Sequence, residues 1–453
     1  MDEKKKLKQC LLEAKTGVRI SLATGELEMQ HPDRMSTLHF YKAVSGSRIK
    51  LLSSDYSYAV ATYSLEREMS YIYTYSYQKE ENWTTYNHDL TPESYRQQDY
   101  IFYKDLYFRV NLKRNDGGLI SEVEADNINE ILNYITLEEI YEEKQYFTEE
   151  VEATVNSINE MRTEHSMLFA ILTDTHYVVN GTWEDTAYNL MQVHKKVGLD
   201  GIIHLGDFTD GMVPAAVTRE YVERELRDLL KNQIPIYFVL GNHDSNYFKS
   251  NPERMSRKEQ QDFYFSYIDS YIKRGTNQSY YFVDYEKIGL RGIFLESYNF
   301  EEKLKYGFSE EEMLWLQETL DATPKGYSAI VFSHVPPLGR LHYWTDQIRN
   351  SDVLMNILEA YNTSEGKRIM AFIHGHNHAD QIFTERSFPI IAIGCAKCEY
   401  FTDKKPRGSD TYNRTPNTVT QELWDVMIIT PTRNKIDFVR FGAGEDRTIT
   451  IKA

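Results

Sequence analysis

The chain has 453 residues, 41% of them hydrophobic, and carries a formal net charge of −17 from 68 acidic against 51 basic side chains. That length implies two or three domains with cores of their own, and no apolar run is long enough to offer a membrane span. So acidic a surface excludes nucleic acid and anionic membranes as general partners, but leaves a small phosphorylated substrate open, because bound cations can reverse a local field.

The opening residues, Met1 to Gly17, are charged and lack an apolar stretch of signal-peptide length. A cytoplasmic protein is expected, with export open if a leader has been trimmed. Residues 1–120 read as a small all-β, sandwich-like module. Runs rich in Tyr, Val, Ile and Phe recur at Ser47–Ser53, Tyr58–Leu65, Tyr71–Tyr77 and Tyr100–Leu112, and Asn115-Asp116-Gly117-Gly118 is a turn signal. The tyrosines suit either core packing or a surface for a glycan or protein partner. Residues 121–163 read as a helical connector, with capping boxes at Ser121/Glu124 and Thr136/Glu139 and with Phe147, Val151, Val155, Ile158 and Met161 at helical spacing.

Residues 164–453 read as an α/β domain. Met167–Thr173 is a buried strand, Glu184–Val197 a helix, Gly201–Leu205 a strand, and Pro235–Leu240 a third strand after a helix opened by Pro214. Tyr306–Leu320 reads as a helix capped by Ser309 with Glu312 at the box position, and Phe438–Arg447 as a terminal strand and tail. In open α/β sheets, ligands bind beyond the carboxyl ends of the strands.

Five polar clusters follow such strand ends in turn. They are Asp174-Thr175-His176, then Gly206-Asp207-Phe208-Thr209-Asp210, then Gly241-Asn242-His243-Asp244, then His334 before Pro336-Pro337, then Gly375-His376-Asn377-His378. Residues two apart in an extended segment point the same way, so Asp174 with His176, and His376 with His378, can each face one cation. Each cluster alone is a weak signal; an ordered series of five is a strong one. Oxygen and imidazole donors without thiolates suit Mn, Fe or Zn.

These motifs, DTH, GDFTD, GNHD, the His of SHVPP, and GHNH, resemble the calcineurin-like metallophosphoesterase superfamily over roughly residues 165–400. The resemblance implies a four-layer α/β/β/α sandwich and a centre of two divalent or trivalent transition-metal ions. One ion would be held by Asp174, His176 and His378, the other by Asn242, His334 and His376, with Asp207 bridging them. His243 would help protonate the leaving group, and Asp244 would orient His243. Hydrolysis of a phosphate mono- or diester is implied, by direct attack of a metal-bridging hydroxide. A relative that kept the fold as a scaffold and lost catalysis is the alternative, although such relatives usually lack metal ligands.

Residues beside the motifs read less sharply. His204 and His374 lie within strands and suit the core. Arg340, His342 and Tyr343 suit either a pocket lining or a solvated loop, and Asn180 a turn with Gly181 or a phosphate contact. Three cysteines, Cys10, Cys395 and Cys398, argue against a disulfide framework. Cys395 and Cys398 read as plain thiols after a buried strand, or as a redox or metal pair.

Overall fold

Alternation of apolar and polar residues, turn glycines and helix caps organise the chain into two compact units, Met1–Glu142 and Glu143–Ala453, in a computed structural model. The structure describes residues 5–21, 27–37, 41–69, 75–79, 84–85, 99–102, 106–139, 144–177, 182–212, 215–247, 251, 253–399 and 406–451.

In the first unit the strands are Lys5–Cys10 (β1), Ala14–Ile20 (β2), Leu27–Thr37 (β3), Tyr41–Ala43 (β4), Arg48–Leu51 (β5) and Tyr56–Met69 (β6). Tyr75–Lys79 (β7), Thr84–Thr85 (β8), Asp99–Ile101 (β9), Leu106–Arg114 (β10) and Leu132–Glu139 (β11) follow. They form two sheets, ordered β1-β11-β5-β9 and β2-β3-β10-β6-β7, with β4 on β10 and β8 on β6. Ile49, Phe102, Phe108, Val110, Leu132 and Tyr134 meet in the core, where Phe108 and Tyr134 pack edge to face at 4.8 Å. Tyr41, Tyr56, Tyr58 and Tyr134 are core residues, so packing accounts for these tyrosines; Tyr71 and Tyr73 lie outside the described residues.

Residues 121–163 do not form one helical stretch. Ser121 does cap a short helix, Glu122–Asp126 (α1), with the full box to Glu124, and Ile128–Ile131 (α2) follows. Thr136 and Glu139, expected as a second box, lie in β11. That strand pairs antiparallel with β1 and with β5, Leu132 opposite Leu51 and Tyr134 opposite Ile49. The pairing partners lie far away in sequence, so local capping chemistry loses to a ladder on both edges. The two units divide within the same stretch, and Gln145–Met161 (α3) opens the second unit with Phe147, Val151, Val155 and Ile158 buried as their spacing predicts.

The second unit holds two six-stranded sheets. The first is built from Met167–Leu172 (β12), Gly201–His204 (β13), Ile236–Phe238 (β14) and three strands from the end of the chain, Leu423–Thr430 (β21), Lys435–Gly442 (β22) and Arg447–Thr450 (β23), in the order β14-β13-β12-β21-β22-β23. The second consists of Tyr281–Tyr285 (β15), Leu290–Phe294 (β16), Ser328–Ser333 (β17), Ile369–His374 (β18), Gln381–Phe383 (β19) and Ile390–Ala392 (β20), in the order β15-β16-β17-β18-β20-β19. Rings join the sheets face to face: Tyr237 stacks on Phe294 at 5.8 Å, and Phe169 meets Tyr285 at 5.1 Å.

Helices cover the outer faces. Trp183–Val197 (α4) and Ala215–Leu230 (α5) accompany the first sheet, and Arg257–Tyr264 (α6) follows β14. Glu310–Asp321 (α7) and Ser351–Asn362 (α8) bury Met313, Leu316, Leu354 and Leu358 against Val331 and Phe372 of the second sheet. Ser309 caps α7 through its box with Glu312, as expected. The second unit is thus the α/β/β/α sandwich, and the first, which precedes it in the chain, is a β-sheet module with two short helices. Pro214, Asn180 and Gly181 lie outside the described residues.

Candidate metal centre

All five clusters lie just beyond the carboxyl ends of parallel strands. β12 delivers Asp174 and His176, β13 delivers Asp207, β14 delivers Asn242 and His243, β17 delivers His334, and β18 delivers His376 and His378. The backbone there is unusual. Asp174, His176, Asp207, His376 and His378 all adopt positive φ, between 41° and 68°, a region that costs a non-glycine residue on the order of 1–3 kcal/mol unless its surroundings impose it. Gly206, at φ 94°, lets two loops touch, since a Cβ there would lie 2.6 Å from the Gly241 nitrogen.

The seven donors form two groups sharing one carboxylate. Asp174 Oδ2 accepts from the Thr173 hydroxyl at 2.6 Å and from the His376 N–H at 2.9 Å. Its Oδ1 is buried without a hydrogen-bond partner, 3.1 Å from His378 Nε2 and 3.7 Å from His176 Nε2. Those two imidazole nitrogens face each other at 3.3 Å. In the second group, His334 Nδ1–H donates to the Leu205 carbonyl at 2.7 Å. This turns His334 Nε2 toward Asn242 Oδ1 at 3.2 Å and His376 Nδ1 at 3.1 Å. Asp207 Oδ2 serves both groups, 3.2 Å from His334 Nε2 and 3.7 Å from His176 Nε2.

Lone-pair donors aimed at one another in a buried space repel unless a positive charge lies among them. In the chain alone, two histidines carry that charge. Burial works against a charged His334, but Asp207 and Asp174 outweigh it and push the ring up to about 9. Burial likewise opposes charge on His378, yet Glu399 and Asp174 hold it well above the ordinary histidine range. Asp207 is held down to about 2 because the imidazoles overcome its burial. An orphaned carboxylate oxygen and converging imidazole and amide donors fit hard or borderline cations.

Residues 167–380 match the family model of the calcineurin-like phosphoesterases. This part of the chain is a calcineurin-like phosphoesterase domain. A probable glycerophosphodiester phosphodiesterase GpdQ of Arcobacter nitrofigilis is 26% identical over 228 residues, which span 47% of this chain and 72% of that protein. Among solved structures, a dimetal phosphatase from Danio rerio aligns over 63% of this chain and 99% of its own, with 16% identity and a TM-score of 0.46. A purple acid phosphatase from yellow lupin seeds aligns over 97% of this chain and 74% of its own, with 10% identity and a TM-score of 0.44.

Several further residues of the phosphoesterase domain support the donors. The Asp244 carboxylate accepts the backbone N–H groups of Asp207, Gly241 and Phe208 at 2.8, 2.7 and 2.9 Å, so it clamps the loops after β13 and β14 together. The ring expected to depend on Asp244, that of His243, meets the Asp210 carbonyl at Nδ1. His243 Nε2 lies 3.8 Å from Asp207 Oδ2, close enough with His176 and Asp207 to share a cation as well as to pass a proton. His204 is buried as expected, stacked on Phe208 at 3.8 Å and bonded to Thr175. His374 is likewise buried.

His342 is neither solvated nor merely lining. It is buried, accepts the N–H groups of Trp344 and Thr345 at 3.0 Å on Nδ1, and sets Nε2 3.0 Å from His376 Nε2. Trp344, which the sequence did not single out, stays 44% exposed with its ring 4.7 Å from that of His376. Arg340 is exposed and pairs with Glu385. Glu399 also went unnoticed: it contacts His378 Nδ1 from 21 positions along the chain, and no motif spacing marks it. Cys395 is buried beside the same pair, within a group of His378, Cys395 and Glu399.

Proposed function

We propose that the chain is a dinuclear metal-dependent hydrolase of phosphate esters, with Asp174, His176 and His378 holding one cation, Asn242, His334 and His376 the other, and Asp207 shared between them. The observation that carries this reading is Asp207 Oδ2, which lies within 3.2 Å of His334 Nε2 and 3.7 Å of His176 Nε2 and so faces both groups at once. Mn, Fe or Zn suits the donor set. When bound, the cations would acidify a water and offset charge on the phosphoryl oxygens.

The chain's own residues do the rest. Buried carboxylates and strained loops keep the donors in place before substrate arrives, so little reorganisation accompanies reaction. The Thr173 hydroxyl on Asp174 and the His243 N–H on Asp207 Oδ1 keep the carboxylates from rotating away, while Asp244 clamps the loops that carry Asp207 and His243. His243 Nδ1 meets the Asp210 carbonyl and burial lowers the ring to about 3, so Nε2, which opens on the same space as Asp207 Oδ2, starts without a proton. It takes the proton released as water oxygen bonds phosphorus and passes it to the departing oxygen as the ester P–O bond breaks. No side-chain nucleophile is required. A diester is the favoured substrate, because the relative from Arcobacter nitrofigilis bears the name of a phosphodiesterase. A catalytically silent scaffold would be expected to have lost donors, and all seven positions keep theirs. Among the described residues, the core tyrosines of the first unit offer no support for a glycan- or protein-binding role there.

The test is a panel of phosphate mono- and diesters assayed after adding Mn, Zn or Fe to chelator-treated protein, alongside metal analysis. Metal-dependent turnover, highest on diesters, is expected; absence of both bound metal and turnover would overturn the reading.

A further inference from the structure

The two histidines of the G-H-x-H motif present opposite ring nitrogens to the centre. His376 turns Nδ1 toward His334, whereas His378 turns Nε2 toward Asp174 and His176. The motif does not specify this choice. What lies behind each ring differs: His342 behind His376, Glu399 behind His378.

We propose that Glu399 is a positioning residue that fixes which nitrogen His378 offers to a cation, an inference that rests on the metal centre proposed above. A carboxylate only accepts, so its contact with Nδ1 keeps a proton there and leaves Nε2 bare in the neutral ring. That Nε2 lies 3.1 Å from Asp174 Oδ1, a buried carboxylate oxygen. Glu399 is itself fixed. Its other oxygen lies 2.8 Å from Lys397 Nζ, and both side chains are at least nine-tenths buried. The segment carrying them is stitched to the loop carrying Asp174, since the Ala396 and Lys397 N–H groups donate to the Thr173 and Asp174 carbonyls at 2.8 and 3.1 Å. Outer carboxylates of this kind orient a ligating histidine and raise its basicity.

The neighbouring Cys395 sulfur would allow another reading, a separate cation held by His378, Cys395 and Glu399. The Lys397 ammonium argues against it, because it already neutralises Glu399 from within the group.

The experiment titrates Mn²⁺ into chelator-stripped full-length protein against a competing chromophoric chelator. Wild type is compared with Glu399→Gln, Glu399→Ala and the double variant Lys397→Met/Glu399→Ala, which removes the stranded ammonium. One of two metal equivalents is expected to weaken about ten- to a hundredfold in Glu399→Ala and in the double variant. Glu399→Gln, which keeps an acceptor oxygen, should lose less, and unchanged circular dichroism should show that each variant is folded. Wild-type affinity for both equivalents in the folded double variant overturns the proposal, as does equal loss in the Gln and Ala variants. Failure of wild type to bind metal strikes the proposed function instead.

Discussion

The carboxylate of Asp244 receives the backbone N–H of Asp207 at 2.8 Å, so the residue that ends the G-N-H-D motif holds in place the backbone from which the carboxylate shared by both donor groups projects. The same side chain accepts from Gly241 and Phe208, and burial with the nearby Asp207 charge raises it to about 6. Asp244→Ala strands three buried N–H groups at about 1–3 kcal/mol each, partly recovered by water. A loss of about 3–5 kcal/mol is expected, read as an earlier thermal transition of the second unit, together with reduced metal retention. A variant with unchanged melting and full metal content would contradict the clamp.

Asp207→Asn should cut turnover at least a hundredfold while leaving the fold intact, because a neutral amide that keeps one oxygen cannot neutralise and link two cations as a carboxylate does. Kinetics at saturating metal, with circular dichroism as the control, decide this. Near-full turnover would remove Asp207 from its shared position.

His243→Ala tests whether that ring carries a proton or a cation. Metal content should persist and kcat should fall about a hundredfold, most for esters with poor leaving groups. Loss of one metal equivalent would instead place Nε2 among the ligands, which its 3.8 Å separation from Asp207 Oδ2 leaves geometrically open.

Proton and metal compete for His334. Its folded pKa lies near 9, above the ordinary 6.5. The stability contributed by the charged ring is therefore complete below about 6.5 and disappears as pH rises through about 9. Metal-free protein should melt progressively earlier across that window, whereas metal-loaded protein should not, because a cation takes the proton's place. Apparent metal affinity should climb over the same range as the competing proton leaves. Parallel melting curves for the two forms would speak against His334 as a ligand.

Trp344 offers an aromatic face beside His376. Stacking of a base or aryl group on such a ring is worth about 1–3 kcal/mol, so Trp344→Ala should raise KM for aryl or nucleoside diesters about tenfold more than for glycerol diesters, and Trp344→Phe should recover most of the difference. An equal change on both substrate types would leave Trp344 without a part in selection.

The amino-acid sequence by itself determined the donor inventory and the strand ends that carry it, because backbone and side-chain periodicity are local and the five clusters each stand directly after a short apolar run. It also determined the helices whose signals are local, such as α7 with its Ser309 cap. It misjudged Thr136 and Glu139, since the ladder partners of β11 come from β1 and β5, remote in the chain. Only the tertiary structure decided what lies behind the ligands: Asp244 across two loops, His342 behind His376, Glu399 behind His378. The physical reason is that these contacts join loops remote in the chain, where neither spacing nor propensity constrains the pairing, and only the placement of neighbouring strands in each sheet, β13 beside β14, β17 beside β18 and β18 beside β20, brings the atoms together.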